Sequence, residues 1–117
     1  MQTSVVNVSV AHIRPEYANF QEWCADPRNV YVGRQGRVFV RGKSFVYAAS
    51  RFANPYRIGK NGTRDEVISK YRVWIQEQLD SGRIAQAELL ALRGKRLGCW
   101  CKPHACHADV LLALLED

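Results

Sequence analysis

The spacing of apolar positions along this chain changes several times, and each change marks an element. Val5-Val6-Asn7-Val8-Ser9-Val10 alternates with the two-residue period of a half-buried strand. Between Pro15 and Pro27, Tyr17, Phe20 and Trp23 recur at helical spacing, which predicts a short helix whose aromatics belong to the core. Val30-Tyr31-Val32-Gly33 reads as a second strand. Val38-Phe39-Val40 and Phe45-Val46-Tyr47-Ala48 flank Arg41-Gly42-Lys43 as a hairpin, after a turn at Gln35-Gly36. Gly42 can supply the positive φ that such a turn requires.

Ser50 to Gly62 reads as a loop, held extended before Pro55 and turning tightly at Asn61-Gly62. Thr63-Arg64-Asp65-Glu66 has the spacing of a capping box, in which Thr63 and Glu66 satisfy each other's free backbone N–H groups. Val67, Ile68, Tyr71, Trp74, Ile75, Gln78 and Leu79 share one face of the helix that follows, which stops at Ser81-Gly82. A second helix is expected from Arg83 to Leu92, ending at Gly94. A buried strand then runs from Lys95 through Cys101, and an apolar helix covers Ala108 to Leu115. This order predicts an α/β sheet covered by helices, with a place for an antiparallel hairpin at its edge.

At 117 residues the chain holds one core and not two, so residues 1–117 are read as a single domain. Hydrophobic residues make up 47% and charged residues 24%, the balance of an ordinary globular protein. No apolar run approaches the roughly 20 residues that cross a bilayer, and Met1 to Val8 has no basic-then-apolar leader pattern. No membrane association is expected, and a reducing cytoplasmic setting follows, in which cysteines are thiols or ligands before they are disulfides.

The net charge of +6 is unevenly placed. Nine basic residues and no acidic one lie between Pro27 and Arg64, whereas the rest of the chain carries eight basic and eleven acidic residues. A basic face can simply keep a protein soluble. The reading preferred here is a surface for phosphates, since Arg outnumbers Lys and its planar fork grips an oxyanion with two hydrogen bonds.

The densest chemistry lies in Gly98-Cys99-Trp100-Cys101-Lys102-Pro103-His104-Ala105-Cys106-His107, with three of the four cysteines and two of the three histidines. Strand alternation puts Cys99 and Cys101 on one side and Trp100 on the other. Pro103 stops the strand, and Cys106-His107 opens a helix whose dipole stabilises an anion such as a thiolate. Three readings stand side by side. In the first, Cys101 or Cys106 is a reactive thiol with His107 or His104 as proton partner. In the second, Cys99, Cys101, Cys106 and His107 hold zinc, with Cys24 able to replace one of them, although the C-x-C-x4-C-H spacing is tighter than usual. In the third, the cysteines are small buried hydrophobes and His107 caps the helix. In every version Asp109 favours the helix dipole and is placed to orient an imidazole.

A second candidate is Ile58-Gly59-Lys60-Asn61-Gly62-Thr63-Arg64, where backbone N–H groups, Lys60 and Arg64 can converge on an anion at a helix start. The Walker order is absent, and a plain turn with a helix cap is the competing reading. The strand end at Arg34 and the loop residue Asn54 meet this segment if the sheet gathers the loops on one edge.

These motifs resemble a widespread uncharacterised family of bacteria and their phages, a domain of unknown function. The residues that carry the resemblance are Val30 to Arg34, Ser50 to Tyr56, Ile58 to Ile68, Tyr71 to Trp74 and Gly94 to Leu111. The likeness runs from about residue 30 to residue 115, and Phe39 to Ala49 is longer than the family's usual spacing. The family implies no established activity. A second similarity, through the strand, the cysteines and the Cys-His helix start, is to another uncharacterised family; it implies a Rossmann-like sheet.

The expectation is therefore a small Rossmann-like α/β domain that binds a phosphate-bearing ligand, a nucleotide or a nucleic-acid component. Arg34, Asn54, Lys60, Thr63 and Arg64 would hold the anion, and Cys101, Cys106, His107 and Asp109 would supply the reactive groups. The alternative is a non-catalytic nucleic-acid-binding or protein-regulating module of phage type, its cysteines structural or zinc-bound. The patterns specify no oligomeric state.

Overall fold

The last strand in the chain is the middle strand of its main sheet. In the computed structural model, which describes residues 2–116, β5 (Arg96–Cys99) lies between β1 (Ser4–Asn7) and β2 (Asn29–Tyr31) and is parallel to both. Val5 and Val30 both sit beside Leu97, which is fully buried. A strand covered on both faces and both edges needs small or apolar residues throughout, and Leu97-Gly98-Cys99 meets that demand.

Alternation along β5 divides the interior in two. Leu97 and Cys99 face a core formed with Val32, Tyr71, Ile75 and Leu111. On the opposite face Val8, Ile13, Tyr17, Phe20 and Trp23 form a second cluster. Gly98 is what lets this second cluster close. A Cβ there would stand 2.3 Å from the Trp23 ring and 2.6 Å from a Val8 methyl.

α3 (Arg64–Asp80) and α5 (His107–Leu115) cover the first face. The capping box at Thr63 and Glu66 forms as expected, and Val67, Tyr71 and Ile75 are the buried stripe of α3. α4 (Gln86–Leu90) is shorter than the expected Arg83–Leu92 helix. Residues 83–85 are spent turning back after Gly82, whose φ is +77°, and the Ile84 N–H donates to the Gln78 carbonyl. The second face is covered by α1 (Val10–Ile13) and α2 (Phe20–Ala25).

Several strand boundaries differ from expectation, and β2 is Asn29–Tyr31 and not Val30–Gly33. β1 stops at Asn7 and not at Val10, because the Asn7 side chain accepts the Ser9 N–H and donates to the Lys102 and Trp100 carbonyls. β5 stops at Cys99, and Cys101 lies in the loop beyond it.

The hairpin of β3 (Gly36–Val40) and β4 (Lys43–Tyr47) forms a separate two-stranded sheet and not an edge of the main one. Arg41 and Gly42 both have positive φ, +53° and +76°, the left-handed pair that joins twisted strands through a two-residue turn. The inner face of the hairpin, with Phe45 and Tyr47, packs on Phe20 and Tyr31, with the Phe20 and Tyr47 rings 4.9 Å apart. Aromatic packing across the gap takes the place of main-chain pairing. The protein is thus a small compact mixed α/β domain, with a three-stranded parallel sheet and an antiparallel hairpin. Among the described residues no helix is long and apolar enough to cross a membrane.

Candidate functional site

A cavity of about 460 Å³ opens beyond the carboxyl ends of β2 and β5. Parallel sheets commonly bind ligands there, because the loops leaving adjacent strands diverge and expose backbone groups. Here β2 delivers Gly33 and Arg34, and the loop after the hairpin delivers Asn54, Tyr56 and Arg57. The first turns of α3 supply Arg64 and Val67, and the β5–α5 loop supplies Cys101, Cys106 and His107. Tyr31, Tyr47 and Trp100 add an aromatic wall.

Three arginines and no carboxylate line this space. Arg34 Nη2 donates to the Tyr56 carbonyl at 2.6 Å, and Arg64 Nη1 to the Ala105 carbonyl at 3.0 Å. Each guanidinium is aimed by a bond to a backbone carbonyl; Arg34 keeps its remaining donors, and Arg64 also donates to the Cys101 sulfur. Among the described residues none of the three forms an ion pair. Burial lowers the Arg34 pKa, and repulsion from Arg57 lowers it further. An anion in the cavity would relieve both penalties.

Trp100 and the tyrosines form one connected structure. Trp100 Nε1 donates to the Tyr31 hydroxyl at 3.0 Å, which in turn donates to the Arg34 carbonyl at 2.7 Å. The rings of Tyr31 and Tyr47 meet edge to face at 5.2 Å. Trp100 packs on the rings of Tyr47 and of Phe20 at the start of α2, and it lines the cavity together with Cys101.

Cys101 is the thiol that the site activates. The thiols of Cys106 and Cys99 donate to its sulfur, and Arg64 adds a further donor and a positive charge. These contacts hold its pKa far below the ordinary thiol value. As the donors, Cys106 and Cys99 are shifted upward. Cys99 and Cys106 are each 2% exposed, whereas Cys101 is partly exposed in the cavity wall. The sequence left Cys101 and Cys106 as equal candidates; burial separates them.

His107 lies behind the cysteines. Its Nε2 stands 2.7 Å from the Val32 carbonyl. A carbonyl only accepts, so Nε2 carries the proton. Burial lowers the imidazole pKa, which leaves Nδ1 bare, 3.4 Å from Cys106 Sγ. The ring is oriented by Val32 and by an edge-to-face contact with Tyr71, at 5.1 Å, and not by Asp109. Asp109 instead accepts the Cys106 N–H at 3.0 Å and pairs with Lys102 at 2.8 Å, fixing the helix start from outside the cavity.

The other expected residues divide. Asn54 reaches the cavity wall but is 7% exposed, and its amide is spent on the Val67 carbonyl and the Tyr56 N–H. It shapes the loop that carries Tyr56 and Arg57. Thr63 is committed to the cap, and Lys60 stands exposed outside the lining. His104 is exposed and also outside it. Cys24 packs in the opposite core cluster, where burial pushes its thiol up to about 11. Arg57, Tyr56 and Tyr47 were missed as site residues, although Arg57 sits two positions before the Gly59 turn, where a loop side chain can reach an α3 neighbour. Among the described residues no group of three or more His, Cys, Asp or Glu is arranged to hold a metal ion.

Residues 17–117 match the family described as Domain of unknown function (DUF4326), and the chain belongs to it. The match begins ahead of residue 30, so it includes the aromatic helix α2. A relative from Enterobacteria phage T4, named "Uncharacterized 12.4 kDa protein in nrdA-td intergenic region", is 42% identical over 60 residues. That alignment covers 50% of this chain and 56% of the relative, so the chain spans little more than half of that protein's length. No solved structure matches the chain.

Proposed function

We propose that this member of the DUF4326 family binds a nucleotide, free or as part of a nucleic acid, in the cavity beyond β2 and β5, and acts on it through Cys101. The observation that carries the reading is the cavity's composition: three arginines with no carboxylate partner, aromatic rings and one thiol set beside Arg64, with no acidic side chain in the lining. Arginine forks suit phosphate oxygens, and Tyr and Trp faces suit a base. A volume of about 460 Å³ is within the range of small-molecule sites. The parallel order β1-β5-β2 with loops gathered at one end supports the Rossmann-like reading of the sheet. Dependence on a free thiolate supports a reducing, cytoplasmic setting.

In this reading Arg34, Arg57 and Arg64 hold the phosphate, and Arg64 also sets the charge of Cys101. Cys101 is the nucleophile. Cys106, His107 and Asp109 are positioning residues: Cys106 has one proton to share between the Cys101 sulfur and His107 Nδ1, which gives a route for a proton leaving or returning. The burial of Cys99 and Cys106 favours a second reading, in which the cluster is structural and the cavity only binds.

Calorimetric titration with the nucleoside 5′-monophosphates, the matching nucleosides and inorganic phosphate tests the binding. At least one nucleotide is expected to bind, and its nucleoside to bind far more weakly. Arg34→Gln and Arg64→Gln should each weaken the nucleotide by about ten- to a hundredfold, the loss of one charge-assisted bond. Absence of nucleotide binding, or binding indifferent to both substitutions, overturns the reading.

A further inference from the structure

The outer edges of β2 and β4 face each other without pairing. Alternation fixes which main-chain groups lie on them. In β2 the Arg28 carbonyl and the Val32 N–H bond to β5, so the main-chain groups of Val30 face β5 and those of Asn29 and Tyr31 face away. In β4 the two-residue turn makes Val40 and Lys43 a hydrogen-bonded pair. Phe45 and Tyr47 therefore also bond to β3, and the N–H and C=O groups of Val46 and Ala48 point outward.

Beyond both strands the Ser50 N–H donates to the Gly33 carbonyl at 2.9 Å, so the two edges meet at one end. Short of that bond they part around a groove of about 510 Å³, which Tyr31, Val46 and Ala48 help to line. Among the described residues the main-chain N–H and C=O groups of these three make no hydrogen bond. Free strand edges are ordinarily blunted by charged residues or proline. The lining of this groove contains neither.

We infer that the groove takes an extended, uncharged peptide segment, which inserts as a strand and joins the sheets in the order β1-β5-β2, peptide, β4-β3. The walls select this occupant. Facing edges present donors and acceptors at strand spacing, a pattern that another main chain repeats. A strand inserted between them is paired on both sides, so it must arrive with both edges free. Every strand of a second folded copy has at least one edge already paired, which excludes it. A charged side chain in the groove would lose water without gaining a partner. Asn29 adds a further acceptor. It is 7% exposed, lines the groove, and its Oδ1 has no hydrogen-bond partner, a deficit that a donor on the inserted segment would relieve. Tyr31 and Tyr47 line both this groove and the cavity, but the inference does not rest on the nucleotide reading.

Fluorescence anisotropy of a labelled, blocked pentapeptide of alternating valine and threonine tests it on the full chain. Main-chain bonds supply the affinity in strand addition, so an unselected sequence should bind, and no binding at ~1 mM peptide overturns the inference. Two N-methylated forms of the peptide probe the two edges. Methylation of the odd-numbered N–H groups removes the donors to one edge, and of the even-numbered groups the donors to the other. Each form should bind about tenfold more weakly. An effect from one form alone places the peptide on a single edge, and an effect from neither means that side chains hold it; both results overturn the insertion. Amide exchange followed by NMR reads the protein's side. The Tyr31, Val46 and Ala48 amides should exchange faster than that of Val32 in the free protein and become protected in the complex. Their protection in a peptide-free dimer overturns the inference in favour of a second copy. Ala48→Pro removes one donor at an exposed position beyond β4 and should weaken the peptide about three- to tenfold, with an unchanged denaturation midpoint. If that variant does not fold, the methylated peptides still decide on the wild type.

Discussion

Cys101 shows what three donors do to one sulfur. A free thiol titrates near 8.5 and reacts slowly at pH 7, because the thiolate is the nucleophile. Donation from Cys106, Cys99 and Arg64 moves that titration far down, so Cys101 should be charged throughout the neutral range. Iodoacetamide labelling followed by peptide mass spectrometry should find Cys101 alkylated at a rate that stays flat between pH 6 and ~8. The rates of Cys24 and the buried pair should rise only at high pH. Arg64→Gln should return part of the pH dependence to Cys101. A rate that climbs tenfold per pH unit through this range would remove the activated thiol. At this scale the sequence was informative about type and less so about direction. Arg34, Arg64, Cys101 and His107 do share a cavity, because strand ends and helix starts are where residues converge. Lys60 and Asp109 carry the same charges in equally promising places. The turn at Gly59 leaves Lys60 outside, and the cap at Cys106 engages Asp109.

At the level of elements, the longest regular pattern was the most legible. The α3 stripe and its cap were readable because a seventeen-residue helix repeats its signal, whereas α4, with five residues, does not. β5 was readable as a strand, but not its end, which is set by the distant Asn7 side chain bonding to the loop carbonyls. Two substitutions separate structure from function here. Gly98→Ala drives a methyl into Trp23 and should cost about 1–3 kcal/mol or more, seen as a lower denaturation midpoint with unchanged slope. Thr63→Ala removes the acceptor for the Glu66 N–H and should cost about 1 kcal/mol. Because Thr63 lies outside the cavity, its loss should leave nucleotide affinity intact. A large affinity loss without a stability loss would return Thr63 to the ligand-binding set.

Across the whole molecule, six of the nine basic residues between Pro27 and Arg64 fall in two places, while Arg28 and Arg51 pair with Asp26 and Glu88. Arg34, Arg57 and Arg64 enter the cavity, while Arg37, Arg41 and Lys43 stay on the hairpin. Burial and the neighbouring Arg57 both weigh against the charge of Arg34 in the cavity. Occupation should therefore stabilise the fold: inorganic phosphate at ~100 times its Kd should add about 2.7 kcal/mol, raising Tm by several degrees at constant ionic strength. Arg34→Gln should lose most of that rise. An equal rise in the variant would locate the anion elsewhere. Charge segregation was visible in the sequence; the division between two surfaces was not, because the hairpin forms its own sheet.

The position of β5 also governs when the protein can come into being. Ser4 finds its partner only at Arg96, so everything between them must be synthesised before either flanking strand has a neighbour. Such distant pairing makes for slow folding and leaves nascent chains with open edges for a chaperone to cover. The same late segment carries Cys101 past the guanidinium of Arg64. Until β5 is in place Cys101 has neither Arg64 nor Cys106 beside it, so the contacts that lower its titration are made in the step that completes the sheet.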